Sequence, residues 1–132
     1  MRITLERQNK AVHFRAVNEE GASIDIDGAS SIGGRNLGLR PMQLLLAGIG
    51  SCSSLDIISI LKKQKQDLED LRIEVNGERE SGKIPSLFTN INVHFVLKGE
   101  LEEAKVKRAI DLSMNKYCSV SKIIEKTADI SS

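Results

Sequence analysis

The feature that most constrains the fold is the apolar run Leu44–Leu61. It follows Pro41, a residue tolerated at the first helical position because its missing N–H would be unpaired there anyway. From Met42 to about Gln66 the pattern is helical, and apolar on nearly every side until Lys62-Lys63-Gln64-Lys65-Gln66-Asp67 carries it into solvent. A helix of that kind belongs at the centre of a core. The run is long enough to raise the membrane question, but it contains Ser51, Ser53, Ser54 and Asp56. A carboxylate near mid-bilayer costs about 3 kcal/mol or more, so a buried helix of a soluble protein is expected. One small sheet is too little to cover it, which predicts that a second subunit completes its burial.

The rest of the chain alternates. Arg2–Arg7, Ala11–Val17 and Ser23–Asp27 each set apolar residues between polar ones, the mark of half-buried strands. Asn9-Lys10 and Asn18-Glu19-Glu20-Gly21 supply the turns. Gly28–Arg40 has four glycines and no period, and reads as a loop. Beyond the long helix, Leu71–Glu80 and Phe88–Leu97 alternate again around a Ser81–Pro85 hairpin connection. Phe88 falls on the face of Asn90, Asn92, His94 and Val96, and Ile91, Val93, Phe95 and Leu97 fall on the other. Leu101–Asn115 is an amphipathic helix, Val120–Lys126 a short one, and Asp129-Ile130 starts a final strand. The order β-β-β-α-β-β-α-α-β predicts an α+β class. The 132 residues are expected to form one domain, 1–132.

Charge and composition exclude several function classes. A net charge of +1 gives no broad electrostatic footprint for nucleic acid. Only Phe14, Phe88, Phe95 and Tyr117 are aromatic, too few for a base-stacking platform. Met1–Glu6 alternates and resembles no secretory leader. A cytoplasmic location is therefore expected, where transient catalytic disulfides occur and permanent structural ones are disfavoured.

Chemistry centres on the two cysteines. Cys52 lies in the small-residue stretch Gly48-Ile49-Gly50-Ser51-Cys52-Ser53-Ser54, and Cys118 opens Cys118-Ser119-Val120-Ser121-Lys122. Buried cysteines are often inert, and a reactive one needs a nearby cation. Arg35 and Arg40, in the loop before the helix, are the available cations. Asp56 shares a helix face with Cys52 and opposes a thiolate there, so its ordinary role is that of a buried hydrogen-bonding group. His13, Cys52, His94 and Cys118 are ligand types suited to zinc, but they lack the short paired spacings of structural sites, and no metal or other cofactor is expected. Gly33-Gly34-Arg35 carries no phosphate-binding signature, no Ser-His-Asp pattern is present, and Lys62–Lys65 reads as a solvated helix end.

Two segments resemble a known family. Arg40-Pro41-Met42-Gln43-Leu44-Leu45-Leu46-Ala47-Gly48-Ile49-Gly50-Ser51-Cys52 is similar to the helix-opening motif of the OsmC/Ohr family, and Lys116-Tyr117-Cys118-Ser119-Val120-Ser121 resembles its second-cysteine motif. Ser51–Leu61 and Leu87–Phe95 look most like its YhfA-like subgroup. The resemblance implies an OsmC-like fold, an antiparallel sheet packed around a long central helix, in an intertwined homodimer. It implies reduction of organic hydroperoxides, or hydrogen peroxide, through Cys52 as peroxidatic thiol and Cys118 as resolving thiol, with a dithiol reductant as partner and Arg35, or alternatively Arg40, beside the thiolate. One position departs. The family's peroxidases resemble one another in a Glu ten residues before the first cysteine, which holds that arginine, and here Met42 stands there. Met cannot orient a guanidinium by a charge-assisted pair. The departure favours an alternative role, binding of a small apolar ligand without catalysis.

Overall fold

The alternating N-terminal segments form strands β1 (Ile3–Arg7), β2 (Phe14–Asn18) and β3 (Ser23–Ile26) of a computed structural model that describes Met1–Ser132. They pair antiparallel in the order β1-β2-β3. Asn18 builds the second turn: its Oδ1 accepts from the N–H groups of Glu20 and Ala22, and Gly21 takes the left-handed φ of 89° that the turn requires. The first strand is not half-buried as its alternation predicts. All five of its residues are exposed, Ile3 and Leu5 included, because nothing within its own unit covers its apolar face.

The segment Gly28–Arg40 is a loop, with one tight turn at Ser30–Ile32. Asp27 organises it. This carboxylate is almost fully buried, and it accepts from the backbone N–H of Gly28 at 2.8 Å, Arg35 at 2.9 Å and Leu37 at 3.1 Å. These amides, with that of Arg35 first, hold its carboxyl below the ordinary value.

Backbone packing divides the chain into two compact units, Met1–Leu45 and Leu46–Ser132. Helix α1 (Pro41–Lys63) opens at the end of the first and continues into the second. Its N-terminus is closed by Gln43, whose Oε1 accepts from the Arg40 N–H at 3.0 Å, the reciprocal half of a capping box. The helix stops at Lys63, before the expected Gln66. Lys65 adopts a left-handed φ of 55°, and the N–H groups of Lys65 and Gln66 bond back to Lys62 and Leu61, which closes the end as a Schellman motif.

In the second unit, β4 (Asp67–Arg79) and β5 (Phe88–Glu100) pair antiparallel, and β6 (Asp129–Ser131) lies parallel beside β5. The strands thus divide into two three-stranded sheets, the first antiparallel and the second mixed, in the expected α+β class with its long helix. Helices α2 (Glu103–Leu112) and α3 (Ser119–Ile124) complete the order. The core joins Ile57 and Leu61 of α1 to Ala109 of α2, packed by Leu68 and Leu71 of β4 and Phe95 and Leu97 of β5. Burying side chains such as Ile57 and Leu61 stabilises by about 1.5–3 kcal/mol each.

Small residues bring α1 close to the sheet. A Cβ on Gly50 would meet Val75 Cγ2 at 3.0 Å. The hydroxyls of Ser51, Ser53 and Ser54 each donate to a carbonyl one turn back on α1, so they need no other partner. The helix is not enclosed all round. Leu45, Leu55 and Ile58 are exposed, Leu55 by 69%. By length and composition α1 is the one helix able to cross a membrane, yet here Ile49, Gly50, Ser53, Ile57 and Leu61 are buried within the protein.

One strand breaks its own alternation. Thr89 is the extra, unpaired residue of a bulge between the pairs Glu78↔Asn90 and Arg79↔Phe88. Thr89 is exposed and Phe88 buried, so Phe88 leaves the face on which simple alternation sets it. Gly77 makes room for that ring: a Cβ there would come within 2.6 Å of Phe88 Cε1.

Candidate active site

Cys52 sits midway along α1, and Asp56 follows it by four residues, so the two side chains stand one above the other on one helix face. Cys118 comes from the far end of the chain. After α2 the backbone makes a wide π-turn through Ser113–Tyr117, in which the Cys118 N–H donates to the Ser113 carbonyl at 2.8 Å. Such turns recur at functional sites because they displace the residues that follow out of helical register. Cys118 then becomes the residue that caps α3. Its Sγ accepts from the Ser121 N–H at 3.4 Å and the Ser121 hydroxyl at 3.1 Å.

These elements bring the two sulfurs and an oxygen of Asp56 all within 4.8 Å of one another. Both cysteines are free thiols. A disulfide requires an S–S distance of about 2.05 Å, so closure is a local side-chain movement. The two thiols differ in access: Cys52 is half-buried and Cys118 is fully buried. Burial pushes the Cys118 thiol above its ordinary value; the bonds from Ser121 pull it down, and the neighbouring Cys52 pushes it up again.

Ser113, also fully buried, lies beside the trio. Its hydroxyl is 3.0 Å from Asp56 Oδ2 and 3.2 Å from the Ser53 carbonyl, and its single proton serves one of them at a time. A cavity of about 560 Å³ opens beside Asp56, lined by Ser59, Ile60, Lys63, Gln64, Arg108, Leu112 and Tyr117. It offers apolar walls, two cations and a route from solvent to the carboxylate.

Of the residues singled out from sequence, Cys52 and Cys118 are brought together. Arg35 belongs to the first unit, with its side chain exposed and its N–H bound to Asp27. Arg40 directly precedes α1, where its N–H donates to Gln43 Oε1 and its carbonyl accepts from the Leu44 N–H. Neither histidine joins the trio: His13 Nε2 meets Asp25 at 2.9 Å within the first unit, and His94 is exposed on β5. Sequence reading missed Ser113 and Ser121 as partners. Ser121 carried a signal, a hydroxyl residue three positions after a potential cap; Ser113 carried none.

The family profile described as OsmC-like protein matches residues 33–132. The chain belongs to the OsmC-like family. Among OsmC-like relatives it is 40% identical over 118 residues to protein YhfA of Escherichia coli K12, covering 89% of this chain and 84% of that one. A hypothetical protein of Aquifex aeolicus has the same fold at 35% identity and a TM-score of 0.82, covering 98% of this chain and 92% of that one. An organic hydroperoxide resistance protein OsmC of Legionella pneumophila superposes with a TM-score of 0.72 over 99% of this chain and 94% of its own, at 17% identity, a likeness of fold.

Proposed function

We propose that this OsmC-like protein reduces organic hydroperoxides, or hydrogen peroxide, through Cys52 and Cys118. The observation that carries the reading is the approach of two free sulfurs, 66 positions apart in the chain, to within 4.8 Å, with only one of them half open to solvent. The Cys52 thiolate attacks the peroxide O–O bond. The leaving alkoxide takes a proton and departs as an alcohol, and Cys52 is left as a sulfenic acid. Cys118 gives up its proton as its sulfur displaces the hydroxyl, so that water leaves and a disulfide forms. A dithiol then returns both residues to thiols. Burial of Cys118 suits the second role, since it keeps that thiol away from oxidant until Cys52 has reacted.

Arg35 is our choice for the cation beside Cys52, with Arg40 as the alternative; with Met42 at the family's Glu position, neither is held there by a carboxylate. A homodimer fits the exposed Leu45, Leu55 and Ile58 of α1, which need a cover. The cytoplasm suits a disulfide that must reopen at each turnover.

A second reading, non-catalytic binding of a small apolar ligand, is favoured by Met42 and by the cavity walls Ile60, Leu112 and Tyr117. Peroxide consumption separates the two. With cumene hydroperoxide and a dithiol, turnover is expected in the wild type and none in Cys52→Ser. In Cys118→Ser with the dithiol left out, one equivalent is expected to be consumed and a dimedone-reactive sulfenic acid to accumulate. Equal, negligible consumption by all three proteins contradicts the peroxidase reading and leaves the binding one.

A further inference from the structure

The trio has a property that peroxide chemistry leaves unused. Two thiols and a carboxylate crowd within 4.8 Å, and Asp56 is in none of the second unit's ion pairs, Lys63 and Arg108 lining the neighbouring cavity without bridging to it. We propose that in the reduced protein Cys52, Asp56 and Cys118 form a binding site for a thiophilic divalent cation of the zinc type.

The donor set is one that zinc accepts, two thiolates and a carboxylate, and thiolates select it over magnesium or calcium. Zinc sits about 2.3 Å from sulfur and about 2.0–2.2 Å from carboxylate oxygen in a tetrahedron, which sets neighbouring ligand atoms about 3.5–3.8 Å apart. A contraction of no more than about 1 Å forms the site, well within side-chain movement. Its parts are already held. Cys52 and Asp56 share one face of a rigid helix. The Ser113 hydroxyl, 3.0 Å from Asp56 Oδ2, helps to orient the carboxylate. The N–H and hydroxyl of Ser121 point at Cys118 Sγ and support its thiolate. Partners of this second kind orient ligands in metal sites. Three protein ligands leave a fourth position for water.

Loading displaces two thiol protons. Oxidation reverses it: the two metal-bound thiolates, one hydroperoxide and two protons yield the disulfide, an alcohol, water and the free cation. The site rests on the same trio as the peroxidase reading, but metal binding itself needs no peroxide chemistry.

Cobalt(II) chloride added to the reduced, metal-stripped full-length protein without oxygen tests it. One cobalt per chain is expected, with thiolate-to-cobalt charge-transfer absorption and intense tetrahedral visible bands that zinc chloride abolishes. Cys52→Ser and Cys118→Ser are expected to lose the charge transfer in proportion to the lost sulfur and at least 100-fold in affinity. Ser113→Ala is expected to weaken binding about 10-fold, and His94→Ala to change nothing. Alkylation covers the case of a variant that does not fold: zinc at saturation is expected to shield both wild-type thiols from iodoacetamide. Weak octahedral bands, cobalt affinity unchanged in Cys52→Ser, or full alkylation in the presence of zinc overturns the site. A wild type that consumes hydroperoxide but binds no cobalt overturns this inference alone. One that binds cobalt and ignores hydroperoxide overturns the peroxidase reading alone.

Discussion

Two carboxylates, Asp27 in the first unit and Asp56 in the second, are held in opposite ways. Asp27 is almost fully buried and takes three backbone N–H groups that lie on both sides of its loop. Asp56 is half-buried, takes one hydroxyl from Ser113, and stands beside two sulfurs. The first has its lone pairs committed and serves only the loop. The second keeps an oxygen available, in the company of two nucleophiles. A carboxylate saturated by amides is a structural clamp, and one left partly open next to thiols is part of a chemical site.

Exchanging each carboxylate for its amide breaks or sharpens the contrast. Asp27→Asn turns an acceptor into a donor aimed at backbone N–H groups, and the largest effect is expected there: a marked fall in melting temperature by calorimetry and faster proteolysis within Gly28–Arg40. Because the folded carboxyl is held low, its contribution is present above the ordinary 3.8 and lost as pH falls through the depressed folded value. The wild-type stability advantage over Asp27→Asn should therefore shrink in acid. An unchanged melting temperature breaks the comparison at its structural end.

Asp56→Asn is expected to do the reverse. The amide oxygen still accepts from Ser113, so unfolding free energy in urea is expected to stay within about 1 kcal/mol of wild type. Removing a negative charge beside Cys52 is expected to speed its alkylation by iodoacetamide at pH 7 severalfold. Unchanged alkylation together with a large loss of stability would make Asp56 a clamp like Asp27.

The smallest expected effect concerns Cys118. The folded chain holds its proton more tightly than the unfolded chain does, so its contribution is complete below the ordinary 9.0 and lost as pH rises through the raised folded value. Stability measured in alkali should fall more steeply in the wild type than in Cys118→Ser. Parallel curves would mean that burial of this thiol has no energetic consequence.

Sequence period carried most of the fold, because alternation and helical repeat mark which face of an element is apolar. It failed where a single residue reset the period. The bulge at Thr89 moved Phe88 to the buried face, and its cause, the space over Gly77, lies on another strand. The helix expected over Leu101–Asn115 ends at Leu112, because the next five residues widen into the π-turn that delivers Cys118. No Gly or Pro marks that change. Both sulfurs of the site were legible as residues, and the i, i+4 relation of Cys52 to Asp56 was legible as spacing. The Ser113 contact was not, since it joins positions 57 apart. The exposed face of β1 shows the same limit: its alternation records an apolar side without saying what covers it.

The central claim is that Cys52 and Cys118 act as one redox pair. Intact-mass measurement of the reduced protein, quenched after stoichiometric cumene hydroperoxide, tests it most directly. The account predicts loss of both free thiols and a mass lower by two hydrogens within each chain. Retention of both thiols, or addition of oxygen at Cys52 with Cys118 still free, would contradict it.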